Sequence, residues 1–133
     1  MFNPSLVSRS TLLLALFTST AFAEDLTFDQ AQADAGKALY KETCQICHGS
    51  SLANGQFGTP LRGKFFQDKW KGKSVGELAT FVFEKMPPDK VMSLSPEQTT
   101  AAVAYILSRN ELAVSATTLN TDRTALNSVM LPW

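Results

Sequence analysis

The sequence is poor in the residues that build most disulfide and metal sites, because it has only one histidine and two cysteines in 133 residues. Two cysteines cannot form the multi-bridge framework of a small disulfide-rich domain. Basic and acidic residues are equal in number, twelve of each, which argues against a nucleic-acid partner. Apolar runs are short as well, and none reaches the roughly 20 residues that a membrane-spanning helix needs.

The first 23 residues have the pattern of a secretory signal peptide. Arg9 supplies a positive charge, residues 11–17 form a short apolar segment, and Ala21-Phe22-Ala23 is an A-x-A cleavage pattern. We expect cleavage after Ala23, which leaves residues 24–133 as one domain without stable membrane insertion. An uncleaved membrane anchor is the alternative. Export places the domain most economically in a bacterial periplasm.

Both cysteines and the histidine stand together in Cys44-Gln45-Ile46-Cys47-His48. Residues three and four apart lie on one face of a helix, so these three side chains point roughly the same way. Two thiols on that face can form thioethers with the two vinyl groups of a haem, and the imidazole can bind its iron. The C-x-x-C-H spacing therefore predicts one haem c, attached covalently through Cys44 and Cys47, with His48 as an axial ligand.

Three other interpretations of the cysteine pair remain open. A thioredoxin-like dithiol requires a βαβ context that the sequence lacks. A zinc site needs four ligands, so it would have to recruit carboxylates. A structural disulfide closes poorly within one helical turn because its side-chain geometry is demanding.

The remaining pattern predicts helices. One is expected from Asp29 to about His48, with a break near the haem motif, and a loop follows over residues 49–63. Ser74-Val75-Gly76-Glu77 is a capping box that opens a helix to about Lys85, ended at Met86 by Pro87. A second capping box, Ser95-Pro96-Glu97-Gln98, opens a helix to about Ser108. Residues 110–133 are expected to pack over the surface, with a short helix near 121–129.

Gly36 stands inside the first predicted helix, where glycine costs about 1 kcal/mol relative to alanine. A close helix crossing would explain its presence. The small residues Ala101 and Ala102 of the last predicted helix would permit that approach.

The loop and the residues after it are expected to surround the haem. A ligating histidine usually donates its other ring N–H to a carbonyl or carboxylate, and the Pro60 carbonyl is the candidate acceptor. Phe65, Phe66 and Trp70 are expected to form the wall of the haem pocket and its core.

The sixth coordination position of the iron needs a ligand other than histidine, because the chain has no second one. Methionine is the natural soft ligand, and Met86, Met92 and Met130 are the candidates. Met86 is the predicted ligand because the prolines after it stiffen the backbone. Met92 is its closest competitor.

Residues 30–110 resemble a class I cytochrome c, with one haem. The motifs that carry the resemblance are Gly36-x3-Tyr40, Cys44-x2-Cys47-His48-Gly49, Pro60-Leu61-x-Gly63-x2-Phe66, Trp70, Met86-Pro87 and Ala104-Tyr105-Ile106-Leu107-x2-Asn110. The later part is similar to cytochromes that serve periplasmic quinoprotein dehydrogenases. The resemblance implies an all-α fold of three to five helices around one covalently bound haem. It also implies His48 and Met86 as axial ligands, a Pro60 carbonyl contact to His48, and a hydrogen bond from Trp70 to a haem propionate.

Full coordination by histidine and methionine leaves no position for a substrate, so we expect a one-electron carrier rather than an enzyme. Its expected partners are redox proteins, such as a periplasmic dehydrogenase or a terminal oxidase. Residues 62–90 carry seven basic and four acidic side chains, and this excess could steer an acidic partner. The alternatives are a haem-based gas sensor, a peroxidase-like enzyme with a labile distal ligand, and a dedicated electron-transfer subunit of a dehydrogenase complex.

Overall fold

The computed structural model describes residues 26–133, so the predicted signal peptide lies outside the described residues. This part of the chain contains helices and two isolated β-bridges but no strand. The expected all-α class is confirmed. The helices are α1 (Gln30–Leu39), a π-helical turn (Tyr40–Cys44), α2 (Gln45–His48), α3 (Lys64–Trp70), α4 (Val75–Lys85), α5 (Pro96–Arg109) and a 3₁₀ turn (Ala125–Ser128).

Side-chain caps begin three of these helices, as the sequence predicts. The Asp29 carboxylate accepts a hydrogen bond from the backbone N–H of Gln32 at 2.7 Å. The capping boxes of Ser74 with Glu77 and of Ser95 with Gln98 are both complete. Because each cap satisfies backbone N–H groups that have no partner inside the helix, it sets where the helix starts.

α1 and α5 cross closely at Gly36, which confirms the reason predicted for this glycine. A Cβ on Gly36 would lie 2.8 Å from the Cβ of Tyr105 and closer still to the Ala101 carbonyl oxygen. One turn further on, the rings of Tyr40 and Tyr105 pack with centroids 5.3 Å apart. The Tyr40 hydroxyl donates to the Gly49 carbonyl at 2.6 Å. The crossing thus fixes α1 on α5 and ties it to the end of α2.

The predicted break near the haem motif is a π-helical turn. The N–H of Gln45 donates to the carbonyl of Tyr40, five residues back, instead of four. Such a turn inserts one residue and changes the face on which the following side chains emerge. It ends at Cys44, directly before α2, which carries Cys47 and His48.

Residues 110–133, which the sequence predicted to pack over the surface, contribute to the core. Four apolar side chains of this segment are buried: Leu119, Leu126, Val129 and Leu131. The helix expected near 121–129 is only the 3₁₀ turn. No helix among the described residues is long and apolar enough to cross a membrane.

Candidate haem site

A cavity of about 450 Å³ opens beside α2, within the size range of small-molecule and cofactor pockets. The six residues predicted for the haem site all line it: Cys44, Cys47, His48, Pro60, Trp70 and Met86. They come from α2 and the turn before it, the 49–63 loop, α3 and the end of α4. The fold therefore brings together residues that are up to 42 positions apart in the sequence.

His48 is buried, and its ring is held by the loop. Nδ1 lies 2.8 Å from the carbonyl oxygen of Thr59. Because a carbonyl only accepts hydrogen bonds, Nδ1 carries the proton in the neutral ring and Nε2 keeps its lone pair. That is the state of a histidine that binds a metal through Nε2.

The predicted contact from the Pro60 carbonyl to His48 is wrong, because the acceptor is the carbonyl of Thr59. Pro60 lines the cavity instead. A proline restricts the residue before it to extended backbone conformations. Pro60 thus limits the positions of the Thr59 carbonyl without being the acceptor.

Gly58 lets the loop lie against the imidazole. A Cβ on Gly58 would stand 2.5 Å from Nδ1 and 2.7 Å from Cε1 of His48. The Gly58 N–H donates to the carbonyl of Cys47 at 2.9 Å. Only a residue without a side chain fits between this backbone and the ring.

Cys44 and Cys47 are both half-buried and are not joined by a disulfide. Burial, followed by the neighbouring Cys47, raises the pKa of the Cys44 thiol to about 11. The thiol of Cys44 is therefore protonated at neutral pH. Among the residues described here, no group of three or more His, Cys, Asp or Glu side chains is arranged so that it could hold a metal ion.

Met86 is the only one of the three candidate methionines that lines the cavity. It is half-buried and follows α4 in an extended conformation. Met92 is 60% exposed and Met130 is 54% exposed. The position of Met86 matches the predicted ligand, and the other two side chains lie outside the cavity.

An aromatic wall closes one side of the cavity. Trp70 packs against Phe66 with centroids 6.2 Å apart and against Phe81 with centroids 5.6 Å apart. The ammonium group of Lys69 lies 5.1 Å from the Phe81 ring centroid. Phe65 was expected in this wall or in the core, but it is 54% exposed, because its neighbour Phe66 takes the inward face of α3.

Sequence reasoning missed three residues of the site besides Thr59. Phe57 lines the cavity although it is 82% exposed, and Gly58 supports His48. Asn110 is buried and joins the end of α5 to the loop: its amide donates to the carbonyls of Leu61 at 2.9 Å and Ile106 at 2.8 Å, and its oxygen accepts from the N–H of Gly63 at 3.0 Å. Asn110 stands in one of the motifs that carry the cytochrome c resemblance, but the sequence assigned it no contact in the site.

The donor set fits a c-type haem. Two thiols, an imidazole with a free Nε2 and a thioether line the same largely apolar cavity. Thioether and imidazole are the axial ligands of cytochromes c. Chemistry and cavity size therefore agree with the cofactor that the C-x-x-C-H motif predicts.

The family comparison agrees with the site. The model of the family described as "Cytochrome C oxidase, cbb3-type, subunit III" matches residues 31–106, which is more than half of the chain and includes the haem motif and Met86. No curated protein and no solved structure is significantly similar to the chain. The chain belongs to this family of cytochrome c domains, and its function is that of a haem-based electron carrier.

Proposed function

We propose that this protein is a periplasmic one-electron carrier whose haem c is attached through Cys44 and Cys47 and is bound axially by His48 and Met86. The observation that supports the proposal best is the shared cavity of these four side chains. When bound, the haem supplies a one-electron Fe(III)/Fe(II) couple. The protein supplies both axial ligands and an apolar enclosure.

The chain's own residues favour electron transfer over substrate chemistry. The Thr59 carbonyl fixes the tautomer and orientation of His48, so this ligand needs no rearrangement when an electron arrives. The thioether of Met86 would keep the sixth position filled and raise the reduction potential. The buried Phe66 and Trp70 exclude water from one wall.

Periplasmic location rests on the signal-peptide pattern of the first 23 residues and on the haem motif. Covalent haem attachment to an exported protein takes place outside the cytoplasm, so the two features agree. The mature protein then starts at Glu24. Mass spectrometry of the protein purified from its native host tests this directly: we expect a chain that starts at Glu24 and carries the mass of one haem.

Covalent attachment is tested by denaturation. Haem joined by two thioethers remains with the polypeptide in an acidified organic solvent, whereas haem held only by His48 and Met86 is extracted. We expect retention in the wild type and its loss in a Cys44→Ala, Cys47→Ala double variant. Extraction of haem from the wild type would contradict the attachment.

A gas sensor or a peroxidase-like enzyme is the alternative function, and it requires a labile distal ligand. The chain has no second histidine to act as a distal base. Binding of carbon monoxide to the reduced protein at neutral pH distinguishes the two functions. A carrier with a firmly bound Met86 should bind the gas weakly and slowly, whereas strong and rapid binding would favour the sensor.

We further propose redox proteins as partners, with a terminal oxidase as the acceptor. The family description names a subunit of a cbb3-type cytochrome c oxidase, and the basic excess over residues 62–90 suits an acidic docking surface. A permanent subunit of a dehydrogenase complex is the competing arrangement. Purification from the native host distinguishes a free carrier from a permanent subunit. A free carrier separates from the oxidase and from the dehydrogenase, whereas a permanent subunit co-purifies with its complex.

Electrostatic steering makes a kinetic prediction about these partners. If the basic side chains guide docking, the rate of electron transfer to the acceptor should fall as ionic strength rises. A rate that does not change with salt would contradict steering and leave the carrier function itself intact.

A further inference from the structure

We propose that Trp133, which lies outside the family-matched residues 31–106, is a positioning residue of the haem cavity: it acts through Phe66 and raises the reduction potential by keeping the cavity wall dry. The inference rests on the proposed electron-carrier function. It assigns a tuning role to a residue that has no place in the haem motif.

The contact that carries the inference joins Trp133 to the cavity wall. The Trp133 ring meets Phe66 edge-on, with centroids 6.2 Å apart. Phe66 is 1% exposed and lines the cavity. Phe66 also packs against Trp70, which lines the cavity too. Trp133 itself does not line the cavity. It packs on Phe66 and therefore acts on the cavity through that ring.

The position of Trp133 is set by hydrogen bonds of the segment that carries it. The N–H of Leu131 donates to the Lys73 carbonyl at 3.0 Å, and the Val129 carbonyl accepts from the N–H of Val75 at 2.8 Å. Leu131 is also buried. Lys73 and Val75 flank the start of α4, directly after α3 and its residue Phe66. The segment is thereby fixed to the same part of the fold as the wall that it supports.

The indole nitrogen of Trp133 shows whether this residue contributes by packing or by hydrogen bonding. Nε1 of Trp133 is buried and has no hydrogen-bond partner among the described residues. A buried N–H without a partner opposes folding, so the contribution of Trp133 comes from the apolar area of its ring. Phenylalanine should then replace it in function, because it keeps a ring against Phe66 and removes the unpaired N–H.

Loss of the ring should change the potential through solvation. A gap behind Phe66 would admit water or let Phe66 shift, and the cavity wall would become more polar. A more polar surrounding favours the oxidised, more highly charged state and lowers the potential. A purely structural residue would reduce stability without this shift.

The test compares four substitutions in the haem-loaded full chain: Trp133→Ala, Trp133→Leu, Trp133→Phe and Leu119→Ala. Leu119 is a matched control, because it is a buried residue of the same segment whose backbone bonds to Gln32 in α1, away from the aromatic wall. Midpoint potential, thermal unfolding and the sulfur-to-iron charge-transfer band are measured for each variant.

We expect Trp133→Ala to lower the midpoint potential while the charge-transfer band remains. Trp133→Leu should lower it less, and it provides the measurement if the alanine variant does not fold. Trp133→Phe should keep the wild-type potential, and Leu119→Ala should unfold at a lower temperature with an unchanged potential.

Three results would overturn the inference: a wild-type potential in both Trp133→Ala and Trp133→Leu, an equal shift in Leu119→Ala, or an equal shift in Trp133→Phe, which would assign the effect to the N–H. Failure of the proposed function gives a different result, since the wild type itself would then lack the charge-transfer band.

Discussion

The imidazole of His48 is held by backbone groups rather than by a carboxylate. The Thr59 carbonyl accepts the Nδ1 proton, and the Gly58 backbone lies against the ring. A carboxylate in that position would make the ring a stronger donor to iron, because charge-assisted hydrogen bonds are stronger than neutral ones. A neutral carbonyl orients the ring without placing a charge beside it.

Replacing Gly58 with alanine should disturb this arrangement. The added methyl group would stand 2.5 Å from Nδ1 of His48, so either the ring or the loop must move. We expect the free energy of unfolding to fall by about 1–3 kcal/mol, as for other overpacked sites, and the reduction potential to change. Denaturant titration and potentiometry of the loaded protein measure the two effects.

Gly72→Ala is the matched control for this substitution. Gly72 has a φ of +71° and open space around it, so alanine there costs about 1–2 kcal/mol in backbone strain without touching the cavity. The control should lose stability and keep the wild-type potential. An unchanged potential in Gly58→Ala as well would show that the Gly58 contact does not position His48.

The sequence predicted side chains that line the cavity, but it did not predict the backbone groups that support His48. The sequence indicates Cys44, Cys47 and His48 because haem attachment requires those side chains at that spacing. Thr59 acts through its backbone carbonyl. Because every residue has such a carbonyl, no residue type in the sequence marks the acceptor. The prediction therefore reached the correct loop and missed the acceptor by one residue.

At the scale of elements, the α1–α5 crossing holds α2, which carries Cys47 and His48, in place. Gly36 supplies the close approach, and the packed rings of Tyr40 and Tyr105 continue the contact towards the haem motif. Because Tyr40 also bonds to the Gly49 carbonyl, a change at the crossing reaches the end of α2.

The sign of the stability change in Gly36→Ala tests whether α1 and α5 cross closely at this position. Helix propensity alone predicts that alanine would add about 1 kcal/mol of stability at a position inside a helix. The clash with Ala101 and Tyr105 predicts the opposite, a net loss of about 1–3 kcal/mol. Chemical denaturation decides between them, and a gain in stability would show that α1 and α5 do not approach closely here.

The cap of α4 should make stability depend on pH. The backbone N–H of Ser74, followed by the side chain of Lys73, holds the pKa of Glu77 below its usual value. A lowered folded-state pKa contributes stability above the unfolded-state pKa, and that contribution is lost as pH falls through the folded-state value. Glu77→Gln keeps an oxygen for the cap but does not titrate.

We therefore expect the wild type to lose more stability than Glu77→Gln between neutral pH and the acid range. Thermal unfolding at a series of pH values measures the difference. Parallel curves of unfolding temperature against pH for the two proteins would mean that the charge of the Glu77 carboxylate does not contribute to stability.

Elements with local start and stop signals were predictable, and those shaped by tertiary packing were not. α4 and α5 begin at complete capping boxes that are visible in the sequence. α3 begins after Gly63 without a side-chain cap, and no helix was predicted there. The sequence indicated a break in the first helix, but it did not indicate that this break is a π-helical turn.

At the scale of the whole molecule, the site depends on parts of the chain that lie far from the haem motif. Asn110 ties α5 to the loop around His48, and residues 111–133 bury four apolar side chains and cover the aromatic wall. Their role was not predictable, because the polar residues between these side chains hide any helical period.

The central claim is that Met86 completes the coordination of a haem whose other axial ligand is His48. The most direct measurement is the sulfur-to-iron charge-transfer band in the absorption spectrum of the oxidised protein, compared among the wild type, Met86→Ala and Met92→Ala. We predict that the band is present in the wild type, absent in Met86→Ala and unchanged in Met92→Ala, because Met92 is exposed outside the cavity. A band that survives in Met86→Ala, or that disappears in Met92→Ala, would contradict the account.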